Sequence, residues 1–311
     1  MRTIFFGTPL TALPFLECLY SKEEVVAVVT RPDKPRGRGQ LIQKSPIKVF
    51  AEEKKIPIFQ PSQLNDPQFV TAIKNLNAEV GIVVAYGRII PIHLIQLFPK
   101  GLYNVHFSLL PRWRGASPIQ WAILSGDSAT GVTTFKLSET LDTGEILLQK
   151  ETPISPEEDS ISLEKKLIPL GISCLTETLD LVKSGRNSGT PQGNSPSPYA
   201  RLLKKEDAKI SWESSAIEIH RKIRALIRMG PFCILANGKI LKILRAQVVD
   251  SSVDSSAEFG TVIKIERGVG FVIICKEGSL LILEVQPEGK NKMNAWSFLQ
   301  GHKIQEGIRL G

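Results

Sequence analysis

The chain has 311 residues, 42% of them hydrophobic and 23% charged, and a formal net charge of +8. That length suggests about two domains, and the composition is that of an ordinary soluble globular protein. No apolar run reaches the ~18 residues of a membrane span, and MRTIFFGTP turns at once into a strand-and-turn pattern rather than a leader, so a cytoplasmic protein without membrane contact is expected. The positive balance, with a pI near 9.3, points to an acidic partner, most commonly nucleic acid. A basic surface that serves only solubility fits the composition as well. Cys18, Cys174, Cys233 and Cys275 are scattered, as are His93, His106, His220 and His302, which argues for reduced buried thiols and against a metal site.

In chain order, RTIFFG reads as a buried parallel strand, with Thr8-Pro9 as cap and first position of a helix through TALPFLECLYS. The opening lacks G-x-G-x-x-G, so no dinucleotide is expected. VVAVVT is a second strand. The stretch from Arg31 to Ser45, RPDKPRGRGQLIQKS, is too polar and too rich in Gly and Pro for helix or strand, and it is long for a connection in a compact domain. A helix enters at Ser45-Pro46, IPIFQP is strand-like, a helix capped by Asp66 follows, and AEVGIVVAYG is another buried strand. Then come the loop GRIIP, a short helix, the strand GLYNVHFS, the helix GASPIQWAILSG and a hairpin over 131–154. A long helix runs from a cap at Ser160 to Lys183, with a kink at Pro169 in prospect. Strands alternating with helices give an α/β domain, a Rossmann-like, doubly wound and mostly parallel sheet, over 1–186.

SGRNSGTPQGNSPSPY, dense in Gly, Ser, Asn and Pro, reads as an irregular linker, assigned to 187–206. Beyond it, 207–311 combines the helix SSAIEIHRKIRALIR with strands at FCILA-NG-KILKILRAQVV, GTVIKIE, FVIICK and LLILEVQP, a pattern that fits a small OB-like β-barrel or a sandwich. From residue 209 on, Lys and Arg exceed Asp and Glu by roughly five. Arg221, Lys222, Arg224 and Arg228 line one helix and Lys290 and Lys292 sit in a loop. Such a helix is commonly just a solvated face, but with few acidic partners this half is expected to meet phosphates, Arg221 and Arg224 foremost.

Chemistry-bearing residues concentrate in YNVHFSLLPRWRG. Asn104 and His106 are two apart on a strand, so both side chains face one way, at a strand end where open α/β sheets put ligands. An amide and an imidazole side by side can hold a developing oxyanion. Downstream, Asp142 lies near the tip of the loop LDTGE.

Together N-x-H, S-L-L-P-x-x-R-G and L-D-T-G-E form a compound signature that resembles the formyltransferase family using 10-formyltetrahydrofolate as donor. From FFGTP near the start to QPEGK near the end, the chain is similar to the branch of that family acting on methionyl initiator tRNA. The resemblance implies formyl transfer to the methionine amine for translation initiation, with 10-formyltetrahydrofolate as co-substrate and no metal. It implies Asn104 and His106 as oxyanion donors, with Asp142 either orienting His106 or taking the amine proton. It puts the folate against Ser108, Leu109, Leu110 and Pro111, with its pterin near Ile89 and Ile90, which by pattern alone read as core. It makes the 31–45 loop, with Arg36 and Arg38, a grip on the tRNA acceptor arm. A monomer is expected, although nothing in the sequence fixes an oligomeric state. Three positions depart from the family pattern: Phe107 stands where a small residue is usual, RMGPFCIL matches only partly, and Ser211 replaces an acidic residue before Trp212. The competing readings are a formyltransferase acting on an amino-sugar nucleotide and a non-catalytic RNA-binding protein.

Overall fold

The computed structural model describes residues 1–36, 41–193, 196–249, 257–302 and 304–311. They divide into two compact units: 1–118, 129–153 and 164–201 form the first, and 119–128, 154–163 and 202–311 the second.

Along the chain run β1 (Arg2–Gly7), α1 (Leu13–Lys22), β2 (Glu24–Val29), β3 (Lys34–Arg36), β4 (Leu41–Gln43), α2 (Pro46–Glu53), β5 (Ile58–Phe59), α3 (Pro67–Asn75), β6 (Val80–Val84) and α4 (Ile92–Ile95). Then come β7 (Leu102–His106), β8 (Arg114–Gly115), α5 (Pro118–Leu124), β9 (Ala129–Lys136), β10 (Ile146–Pro153), α6 (Ser160–Lys183) and β11 (Tyr199–Ala200). Seven strands form one sheet in the order β10-β9-β7-β6-β1-β2-β5. The five from β7 to β5 are parallel, and β9 and β10 continue the edge antiparallel. The chain winds outward from β1 to β5 and returns to the other side of β1 at β6, so the order reverses between β1 and β6, where such sheets hold ligands at their carboxyl ends.

Alternation along β1 covers both faces of the sheet. Ile4 and Phe6 join Ala27, Val29, Phe69 and Leu102 in one core, and Phe5 is fully buried on the opposite side. Helix entries follow local chemistry: Ser45 accepts from the Lys48 N–H, Asp66 from the Gln68 N–H, and each is followed by a proline in the first turn.

The fold corrects several local expectations. The first helix does not start at Thr8-Pro9. Pro9 is extended before a 3-10 turn, the α-helix begins at Leu13, and the Thr8 hydroxyl donates instead to the Tyr86 carbonyl oxygen. Ser160 is helical, and its cap is Asp159, whose carboxylate accepts from the N–H groups of Ile161 and Ser162. α6 continues through Pro169. The 31–45 stretch holds a strand pair, with Lys34 opposite Gln43, Pro35 opposite Ile42 and Arg36 opposite Leu41, because a two-stranded hairpin tolerates a proline that a central strand would not. Arg38 lies outside the described residues, and Arg36 is described by its backbone alone.

The second unit contains α7 (Ala216–Ala225), β12 (Phe232–Ile234), β13 (Ile240–Val249), β14 (Val262–Glu266), β15 (Gly270–Ile274), β16 (Ser279–Pro287), β17 (Met293–Asn294) and α8 (Ala295–Gly301). The strands form an antiparallel sheet, β12-β13-β16-β15-β14, with β17 beside β16. α7 and α8 pack their apolar sides into its core, where Ile219, Ile223, Leu241, Phe271, Ile282 and Phe298 meet. Ser215 and Glu218 form a reciprocal capping box at the start of α7. The row of cations on that helix is only partly solvated. Lys222 donates to the Lys209 carbonyl oxygen, Arg224 donates to that of Glu158, both are half-buried, and Arg228 lies beyond the last helical residue. All four cysteines are free thiols, and burial pushes Cys233 and Cys275 up to about 12.

Candidate active site

β7 carries Asn104 and His106 to the carboxyl end of the sheet, between β6 and β9, with Asn104 opposite Phe135 and His106 opposite Thr133 on β9. The two side chains differ in how they are held. Asn104 is half-buried and its amide has no hydrogen-bond partner among the described residues. His106 is 5% exposed, its ring edge lies against Phe135, and Nε2 is 2.9 Å from the Trp113 carbonyl oxygen. A carbonyl only accepts, so Nε2 carries the proton and the neutral ring presents Nδ1 as its basic atom.

Nδ1 faces the Asp142 carboxylate, 3.8 Å from Oδ2. Asp142 is 9% exposed, and Oδ2 accepts from the Gly115 N–H at 2.9 Å. Its backbone is left-handed at φ 54, which costs a residue with a Cβ ~1 kcal/mol or more. Trp113, whose carbonyl meets His106, is left-handed too, at φ 64. Gly115 is at φ 121, and a Cβ there would press on the Ala200 carbonyl oxygen. At Gly144 a Cβ would run into the Lys136 carbonyl oxygen, so the LDTGE turn closes against β9 only with glycine.

Ser108-Leu109-Leu110-Pro111 is stapled rather than loose. Thr133 Oγ1 donates to the Ser108 carbonyl oxygen at 2.7 Å, and accepts from the Leu110 N–H and from Gln149. The Ser108 hydroxyl is fully buried and donates to the Arg112 carbonyl oxygen, so it is already committed. Ile89 and Ile90 part company: Ile90 belongs to the core, whereas Ile89 is 68% exposed. Arg221 is half-buried with its guanidinium over Gly126, and Arg224 is turned to the Glu158 carbonyl oxygen.

Composition reads 187–206 as a linker, yet the structure ties its described residues in 187–193 and 196–200 to the site. Asn187 donates to the Tyr103 hydroxyl, Thr190 pairs with Ile146, and β11 pairs with β8. The Trp113 N–H donates to the Pro198 carbonyl oxygen, and Ser197 donates to that of Pro111. Gln192 reaches the carbonyl oxygens of Asp142 and Gly144 and accepts from Arg114. These partners lie far apart in sequence, and no local pattern reveals them. An open cleft of about 810 Å³ adjoins this corner, lined by Arg114, Lys136, Thr143, Gly144 and Gln192 among others.

Known proteins are similar to this chain over its whole length. The model of the formyl transferase family matches residues 1–179, and that of its C-terminal domain matches 202–303. A methionyl-tRNA formyltransferase of Geotalea daltonii is 43% identical, with 100% of this chain and 98% of that protein covered. One from Synechococcus sp. is 42% identical over the same shares. Among solved structures, an N-formyltransferase of Helicobacter canadensis in complex with folinic acid and dTDP-3-aminofucose superposes with a TM-score of 0.66. It is 20% identical over 94% of this chain and 100% of its own, a likeness of fold. The chain belongs to the formyl transferase family.

Proposed function

We propose that the chain moves the formyl group of 10-formyltetrahydrofolate onto the methionine amine of charged initiator tRNA, the reaction of a methionyl-tRNA formyltransferase. The observation that carries this reading is the grouping of the Asn104 amide, unpartnered among the described residues, with the buried His106 imidazole and the Asp142 carboxylate at one strand end. The chain's likeness to methionyl-tRNA formyltransferases runs through both domains at about 40% identity, whereas its likeness to the sugar-linked enzyme is of fold alone.

In the reaction the neutral amine attacks the formyl carbon, the carbonyl oxygen becomes negative, and the bond to N10 breaks as that nitrogen takes a proton. Asn104, whose amide has no partner among the described residues, donates to the oxyanion. The Nε2–H of His106 is held by Trp113, so the ring serves through Nδ1, receiving the amine proton and passing it to the leaving nitrogen. Asp142 stabilises the imidazolium between these two transfers. Its carboxylate stays in place because the Gly115 N–H holds the same oxygen. This reading revises the expectation of His106 as an oxyanion donor, since its one neutral-state N–H is already taken. The folate lies along the partly exposed Leu109 and Pro111, with Leu110 buried beneath them, and exposed Ile89 rather than buried Ile90 meets the flat pterin. Charged tRNA is drawn by Arg221, Arg36 and Arg38.

The test offers one formyl donor with two acceptors in separate reactions, methionyl initiator tRNA and a 3-amino-sugar nucleotide. Transfer to the tRNA-borne amine supports the reading, and transfer to the sugar amine alone replaces it.

A further inference from the structure

We propose that Gln192 is a positioning residue for formyl transfer, acting through Asp142 by clasping the turn that carries it to the strand that feeds Gly115. The proposal rests on the catalytic reading above. Gln192 Nε2 donates to the Asp142 carbonyl oxygen at 2.9 Å and to that of Gly144 at 2.7 Å. Its Oε1 accepts from Arg114 Nε at 3.0 Å and Nη2 at 2.8 Å. Chemistry fixes this amide orientation, because carbonyls only accept and a guanidinium only donates.

Arg114 immediately precedes Gly115, whose N–H donates to Asp142 Oδ2. A closed circuit results: Asp142 backbone to Gln192, Gln192 to Arg114, and the next residue's N–H back to the Asp142 carboxylate. The aspartate is thus held at both ends. Without Gln192, the bonds within the turn among the described residues, from Thr143 and Ser138 to the Thr140 carbonyl oxygen and between the Ser138 and Thr143 hydroxyls, all miss Asp142. The left-handed backbone of Asp142 would lose the donor that receives its carbonyl. The 3.8 Å approach of Oδ2 to His106 Nδ1 would then rest on Gly115 alone. Gln192 is half-buried at the wall of the open 810 Å³ cleft, so it fills no core, and removing its amide leaves apolar packing intact.

Gln192→Met removes the amide at nearly constant size. It is expected to lower kcat for formyl transfer by about 30-fold while the KM values for donor and tRNA stay within about 2-fold. If the residue acts through Asp142, the losses do not multiply: in an Asp142→Asn background the same change costs less than about 3-fold. Gln192→Glu, which keeps an acceptor for Arg114 but sets a carboxylate against two carbonyls, gives a loss of the same kind and serves if the Met variant does not fold. Ring ¹⁵N spectra supply a readout independent of turnover. The His106 signals should move in Gln192→Met, while those of His93, His220 and His302 stay. Unmoved His106 signals, or losses that multiply with Asp142→Asn, would overturn the proposal. A wild-type enzyme that transfers no formyl group would instead sink the functional reading, and the spectra alone would then decide whether the clasp governs His106.

Discussion

At position 107, a phenylalanine stands where the family usually has a small residue, and its ring packs edge-on against Phe15 of α1 at 6.0 Å. It is 7% exposed, and its ring is taken up in this packing. Phe107→Ala should therefore destabilise the first unit by about 3 kcal/mol, read by chemical denaturation, with the folate KM nearly unchanged. A stable variant with altered folate kinetics would return Phe107 to the binding slot. The residues of the site differ in how far the sequence exposes them. Asn104 and His106 are legible from their spacing, since positions two apart on a strand share a face. Asp142 gains meaning only from the family signature, because an aspartate before Thr-Gly is ordinary turn chemistry. Gln192, in a stretch whose composition reads as linker, is invisible: its bonds to Asp142 and Arg114 span 50 and 78 residues.

Among the elements, the turn after β7 depends on Thr133, whose hydroxyl serves Ser108, Leu110 and Gln149 at once. Thr133→Val keeps the shape and leaves those groups without it. We expect a loss of about 2 kcal/mol in stability and a higher KM for the folate. An unchanged KM would separate this turn from folate binding. On α7, burial and then the Arg224 guanidinium hold the His220 imidazole below its ordinary value of 6.5, with Glu157 opposing. A base with a depressed folded value binds fewer protons folded than unfolded, so the stability of the second unit should fall as pH drops below about 6.5. His220→Gln should flatten that slope in thermal unfolding, and equal slopes would show that other groups set it. The strands and the caps at Ser45 and Asp66 follow from local pattern, because buried β runs and N-cap chemistry are short-range. The elements that escaped are short or tertiary in origin: the β3–β4 pair, the delayed start of α1, and α8, whose Asn294 cap and AWSFLQG run are brief.

For the molecule as a whole, the formal charge of +8 should make tRNA binding fall steeply with salt, as counterions return to the phosphates. Arg221→Glu is expected to flatten that dependence by about one to two units of log K against log salt, measured by filter binding. A salt-independent affinity would remove charge from the account. Arg224 is unsuited to the same test because its bond to Glu158 makes it part of the second unit's own structure. The two-part organisation was legible from the change of texture between alternating helices and strands and the later run of short strands. The anchoring of 187–193 and 196–200 was not, since Gly, Ser and Pro mark irregular backbone without saying whether it is fastened. The central claim is that Asn104, His106 and Asp142 carry a formyl group to a tRNA-borne amine. Its most direct test is single-turnover transfer from enzyme-bound labelled 10-formyltetrahydrofolate to initiator tRNA, charged and uncharged, by wild type, Asn104→Ala, His106→Ala and Asp142→Asn. The account predicts formyl-methionine from charged tRNA alone, and a rate at least ~100-fold lower in each variant with donor binding preserved. Near-wild-type rates in any of the three variants, or label on uncharged tRNA, would contradict it.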